Sequence, residues 1–127
     1  MTLKHFSSDF LATLIQEARE SPRARQHRNI HKSYADPCQR LLNAIGTDSY
    51  ICPHRHSLDP KAECLVAVLG SFALLMFDDS GAVEEIIYFG TEKYGVAKDL
   101  SVGVELPPGT WHTIIALVPD SVLLELK

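Results

Sequence analysis

The sequence predicts a mainly β protein, a small closed sandwich or barrel carrying one short N-terminal α-helix. Three observations point there. Only one stretch, near the N-terminus, repeats its apolar residues at three- and four-residue steps. The rest of the chain falls into short apolar runs rich in Val, Ile, Leu and Phe. Turn-forming residues separate those runs at close intervals, the pattern of many short strands closing on themselves.

The helix is expected over residues 8–20. Phe10, Leu11, Leu14, Ile15 and Ala18 make one apolar stripe, Ser7, Ser8 or Asp9 can cap its start, and Ser21-Pro22 stops it. Strands are expected at residues 40–45, 49–56, 62–69, 72–77, 83–89, 100–106, 110–117 and 122–126. The breaks between them are Gly46-Thr47-Asp48, Asp59-Pro60, Gly70, Asp78-Asp79-Ser80-Gly81, Pro107-Pro108-Gly109 and Pro119-Asp120. Residues 64–69 and 72–77 are apolar on both parities and need cover on both faces. The helix or a second subunit would supply it, so a homodimer is expected. Residues 1–22 form the helical prefix and residues 23–127 the β-barrel, one structural domain overall.

Size and charge exclude several classes. At 127 residues the chain builds one domain with a proper core, and 46% hydrophobic with 22% charged residues is ordinary for a globular protein. A net charge of -4 argues against a nucleic-acid or membrane-surface partner. No apolar run approaches the roughly 18 residues of a membrane span. The first residues lack the apolar core of a secretory signal. Cys38, Cys52 and Cys64 form no Cys-x-x-Cys motif and cannot all pair within one chain. The expectation is a reduced, cytoplasmic protein.

The chemistry concentrates in Pro53-His54-Arg55-His56, Glu63 and Pro107-Pro108-Gly109-Thr110-Trp111-His112. In an extended strand His54 and His56 share a face while Arg55 points away, so the pair can grip one ion from one side. Three imidazoles and a carboxylate suit a divalent transition metal, whether iron, manganese, zinc, nickel or cobalt. A single strand histidine is more often a satisfied core or surface group; here the distant His112, following a Pro-Pro-Gly turn, adds independent support. Glu63 starts the strand after the histidines. Asp59 competes for the carboxylate role, although beside Pro60 it is expected to occupy the turn itself.

Residues 53–70 and 103–113 resemble the two motifs of the cupin superfamily. His54, His56, Glu63 and Gly70 match the first, and Pro107, Gly109 and His112 match the second. The Glu63-to-Gly70 interval favours Glu63 over Asp59 as the carboxylate ligand. The run from Arg40 to Ile45, residues 49–56, Phe77-Asp78 with Gly81, and residues 109–113 are similar to the small WbuC-type cupins. The loop between His56 and Glu63 is longer than the motif usually allows, and Ala116 stands where the second motif ends in asparagine. The resemblance implies a double-stranded β-helix (cupin) barrel, metal ligands His54, His56, Glu63 and His112, and a link to surface-polysaccharide (lipopolysaccharide or O-antigen) biosynthesis.

Around that set lies a polar segment holding Arg23, Arg25, His27, Arg28, Asn29, His31, Lys32 and Tyr34, with Arg40 beyond it. Residues 23–32 carry four of the chain's twelve Lys and Arg residues. Run extended, the segment would put Arg23, Arg25, His27, Asn29 and His31 on one face at the barrel mouth. Arg23, Arg25, Asn29, Arg40 and Lys61 are candidate ligand-binding residues, with the arginines suited to phosphate or carboxylate; the competing reading is a solvated linker. Tyr50 and His31 are candidate acid/base residues. Asn43 is a further candidate for the pocket, Cys52 is expected as a small buried filler, Trp111 outside the cavity, and Arg55 in a structural salt bridge. The functional expectation is a small metal-dependent isomerase, epimerase or oxygenase acting on a polar or anionic small molecule such as a sugar or sugar phosphate. A metal-assisted binding or regulatory module without turnover, and a metal-free epimerase-like cupin, are the alternatives.

Overall fold

The computed structural model describes residues 3–58, 61–91 and 101–127. The turn expected at Asp59-Pro60, the competing carboxylate of Asp59 and the strand start expected at Leu100 lie outside the described residues.

Helix α1 (Ser8–Glu20) starts where the Ser7 side chain accepts the Phe10 N–H at 3.1 Å, and it ends at Ser21. Asp9 in its first turn and Arg19 in its last oppose the helix dipole favourably. Among the described residues eight strands follow: β1 (Arg25–Asn29), β2 (Arg40–Ile45), β3 (Glu63–Leu69), β4 (Ser71–Phe77), β5 (Val83–Gly90), β6 (Gly103–Leu106), β7 (Trp111–Ala116) and β8 (Ser121–Leu126). They form two antiparallel sheets, one in the order β1-β2-β8-β3-β6 and one in the order β5-β4-β7.

Alternation along each strand sets the layers. Ile45, Leu65, Ala67 and Leu123 of the larger sheet pack with Phe72, Leu74, Phe89, Ile114 and Ala116 of the smaller one, forming the interior core. The opposite parity of the larger sheet, Leu42, Ala44 and Val122, packs with Leu14 and Ala18 of α1. The two-faced apolar pattern of β3 is thus explained in part by the helix, since Val68 also joins the α1 cluster. Full burial of Leu14 contributes roughly 1.5–3 kcal/mol to that docking. Between β3 and β4 the chain reverses at Gly70, where φ is 79° and a Cβ would fall 2.1 Å from the Ser121 Oγ. Only glycine fits there.

Two expectations change. Residues 49–56 form no strand; only the His54–His112 bridge is ladder-like. Pro53 has no N–H to give, and side chains take the neighbouring carbonyls: Arg25 Nη1 donates to Tyr50 O at 3.0 Å, and Thr113 Oγ1 donates to Ile51 O. Conversely, the charged residues 25–29 do form a strand, at the edge of the larger sheet. Charge is tolerated at an edge, and Arg28 there pairs with Glu17 and lies over the Phe10 ring.

Candidate metal centre

Four side chains from three places in the chain converge at one end of the sandwich. His112 sits inward on β7, in step with Ile114 and Ala116 of the core. His54 is locked to it by a reciprocal backbone pair, N–H to carbonyl at 2.9 Å in both directions. Glu63 begins β3, inward like Leu65, and only 4% of it is exposed. His56 completes the group from the loop. Ring centroids of His54 and His112 are 4.4 Å apart, those of His54 and His56 5.4 Å, and one ligand nitrogen from each of the three rings lies within 4.8 Å of the others.

The rings are oriented by the main chain. His54 Nδ1 contacts Cys52 O at 2.9 Å and His112 Nδ1 contacts Thr110 O at 2.8 Å. A carbonyl only accepts, so both rings carry their proton on Nδ1 when neutral, leaving the Nε2 lone pair for a ligand. Glu63 Oε2 is 3.4 Å from His112 Nε2 and 3.5 Å from His56 Nε2. Those distances are long for hydrogen bonds, and Oε2 is buried without any hydrogen-bond partner. They do match the ~3 Å spacing of neighbouring donors around an ion held at ~2.1 Å. A desolvated carboxylate oxygen flanked by two imidazole nitrogens fits a divalent cation.

The electrostatics agree. Burial raises the Glu63 carboxyl, but His112, Lys127 and His56 outweigh it and hold the group at about 2, ionised at neutral pH. Burial lowers His112, yet the Glu63 carboxylate and the Thr110 carbonyl leave it raised. His56 is lowered, first by burial and then by Lys127, whose Nζ is 3.5 Å from its Nε2. Burial and the adjacent Glu63 push Glu125 up to about 7. Like charges so close cannot both ionise cheaply.

Inside the sandwich the group opens on a cavity of about 170 Å³. It is lined by Arg25, Asn43, Glu125, His54, Glu63 and His112 together with Ile51, Leu65, Ile114 and Leu123. A wider depression of about 420 Å³ runs past His56 with Tyr34, Gln39, Arg55, Ser57, Leu58 and Lys127. A small niche joins Lys61 to His56, Glu63 and His112.

Of the residues expected around the ligand set, the structure brings together Arg25, Asn43 and Lys61. The others lie elsewhere. Arg23 and Asn29 are exposed and line none of these hollows. Arg40 pairs with Asp36 at 3.2 Å. His31 is buried, its Nδ1 2.9 Å from the Arg40 amide nitrogen, and stands outside the cavity. Tyr50 is 75% exposed, because its segment is not a strand and parity with His54 does not hold. For the same reason Cys52 is exposed rather than a buried filler. Among the described residues Arg55 has no salt-bridge partner; its guanidinium lies 4.9 Å from the centre of the Trp111 ring. Sequence reasoning missed Glu125, on β8, and Lys127, the residue after that strand, both of which reach the site.

Residues 6–89 match the family model described as a domain of unknown function, DUF6016. The chain belongs to this family. The match takes in His54, His56, Glu63 and Gly70 and ends before His112. No curated protein sequence matches. Among solved structures, an RmlC-like cupin protein from Desulfovibrio desulfuricans is 15% identical over 99% of this chain and 96% of its own, with a TM-score of 0.62. KdgF from Halomonas sp. is 17% identical over 80% of this chain and 76% of its own, with a TM-score of 0.55. An iron(II) form of HppE in complex with substrate is 12% identical over 81% of this chain, with a TM-score of 0.56; the chain spans 53% of HppE. At these identities the likeness shows the fold: a cupin double-stranded β-helix with an N-terminal helix. No helix among the described residues is long and apolar enough to cross a membrane.

Proposed function

We propose that this cupin is a small metal-dependent enzyme acting on a polar, anionic metabolite. The observation that carries the reading is the buried, partnerless Glu63 Oε2 between His56 and His112, with His54 clamped alongside. His54, His56, Glu63 and His112 would hold one divalent transition ion, iron, manganese, zinc, nickel or cobalt. When bound, such an ion supplies Lewis acidity or redox chemistry to a ligand in its open positions.

The chain's own groups do the rest. Arg25 faces the cavity with its guanidinium partly desolvated, where a charge-assisted contact to an anion is strong. Lys61 and Lys127 add positive charge beside the ligands. Ile51, Leu65, Ile114 and Leu123 exclude water from the cavity walls and strengthen these interactions. The resemblance to WbuC-type cupins extends the substrate class to sugars or sugar phosphates of surface-polysaccharide synthesis. A cytoplasmic homodimer belongs to the same reading. HppE, which shares the fold, is named as an iron(II) protein.

The test is elemental analysis of protein purified without a histidine tag. About one equivalent of a transition metal is expected, lost in both His54→Ala and His112→Ala while the fold is kept. Wild-type protein that takes up no metal from any of the five ions would end this reading.

A further inference from the structure

The cavity behind the ligand set contains a buried acceptor that the metal reading leaves unused and an Arg25 fork whose partner it leaves open. Asn43 Nδ2 donates to Glu125 Oε2 at 3.3 Å, which fixes the amide so that Oδ1 is its free acceptor. That Oδ1 is buried with no partner. A buried acceptor without a donor is costly, and a ligand hydroxyl is one way of supplying the donor. Arg25 anchors itself through Nη1 alone, to Tyr50 O at 3.0 Å and Ser49 Oγ at 3.3 Å. Among the described residues its Nε and Nη2 donors make no hydrogen bond, and their fork matches a carboxylate. Both residues line the same cavity as His54, Glu63 and His112.

Size narrows the choice. The cavity of about 170 Å³ is well below the ~300 Å³ at which ordinary ligand pockets begin. It equals on the order of six waters of liquid volume at ~30 Å³ each. A phosphate monoester dianion has no proton to give to Asn43 Oδ1; inorganic phosphate keeps one but brings a second negative charge against Glu63 and Glu125. An ammonium would place positive charge next to Arg25 and a divalent ion. The remaining combination is an anion with an adjacent neutral donor.

We infer that Arg25 and Asn43 select a small α-hydroxy carboxylate, the carboxylate meeting Arg25 and the hydroxyl donating to Asn43 Oδ1, with Glu125 as the positioning residue that orients the amide. This rests on the metal reading, narrows its anionic substrate to one that the inner cavity holds, and departs from the sugar phosphate that the motif resemblance suggests. The assignment uses only the interior wall of the cavity; the depression beside Lys127 is not required.

The experiment is calorimetric titration of protein first shown to hold its metal, with glycolate, acetate, glycine, inorganic phosphate and glucose 6-phosphate as probes. Glycolate is expected to bind at least about tenfold more tightly than acetate, its analogue without the hydroxyl, and more tightly than the other three. Asn43→Ala should erase the glycolate–acetate difference. Arg25→Gln should weaken both carboxylates by about ten- to hundredfold, with metal content unchanged. Arg25→Lys, which keeps the charge and loses the fork, should fall between them, and its melting curve guards against a folding defect. Equal binding of glycolate and acetate, preference for glycine, phosphate or glucose 6-phosphate, or an Arg25→Gln protein that binds as wild type would each overturn the inference. Those results leave the metal reading standing, whereas absence of metal in the wild type removes it before any titration.

Discussion

Glu63→Gln separates a three-histidine site from one that needs the carboxylate. The substitution keeps shape and burial, removes one negative charge, and leaves His54, His56 and His112 in place. Glu63 Oε2 stands 3.4 and 3.5 Å from two of the three imidazole nitrogens, so a shared ion would lie against it. Outer groups that only support a ligand cost about 10- to 100-fold in affinity when lost. A ligand should cost at least the upper figure. At a metal concentration a hundred times the wild-type Kd, the ion stabilises the wild type by about 2.7 kcal/mol. The variant, a hundredfold weaker, would then sit near half saturation and gain about 0.4 kcal/mol. With roughly 3–6 °C per kcal/mol for a chain of this size, Tm should rise on the order of 10 °C in wild type and about 2 °C in the variant. Differential scanning calorimetry with and without metal measures both. Equal shifts in the two proteins would refute Glu63 as a ligand and leave a three-imidazole site.

Two further outcomes are expected. In the metal-free protein His112 is raised because Glu63 and Thr110 favour its charged form despite burial. Stability from protonated His112 is therefore fully present below the ordinary value of 6.5 and lost as pH rises through the higher folded value. Metal affinity must run the other way, increasing over that same window as the proton leaves. Calorimetry of metal-free protein and metal titration across pH 6 to 8 test the pair, and trends of the same sign would refute it. Leu14→Ala, at a fully buried position against Leu42, Ala44 and Val122, should cost about 2–5 kcal/mol in urea unfolding and leave metal stoichiometry unchanged. A loss under 1 kcal/mol would mean the helix does not hold the outer face of the sheet.

Much of the architecture was legible because its signals are local. The α1 stripe from Phe10 to Ala18, the apolar runs of β2 to β8 and the turn at Gly70 all follow from side-chain period and backbone sterics. The convergence of His54, His56, Glu63 and His112 at one end of the sandwich was legible through spacing and through motif resemblance. The loop before it was not. Residues 49–56 alternate like a strand, but Pro53 and the side chains of Arg25 and Thr113 divert its backbone partners. Only a strand there would have turned Tyr50 and Cys52 into the cavity with His54. β1 was hidden for the opposite reason: its residues are polar, and only its pairing with β2 holds it extended. Glu125 left a faint trace, an acid in step with Leu123 within an apolar run. Since β8 is covered on both faces, by the core and by α1, nothing in the run itself said which parity looks inward.

The paired amide–carbonyl contacts between His54 and His112 have a consequence for how an ion would arrive. Two imidazoles far apart in sequence are spaced by the polypeptide itself, so their seat exists before any cation comes. Loading then resembles filling a socket rather than completing a fold. Chelators should strip the ion without melting the sandwich, and a returned ion should find the same two rings waiting at the same separation.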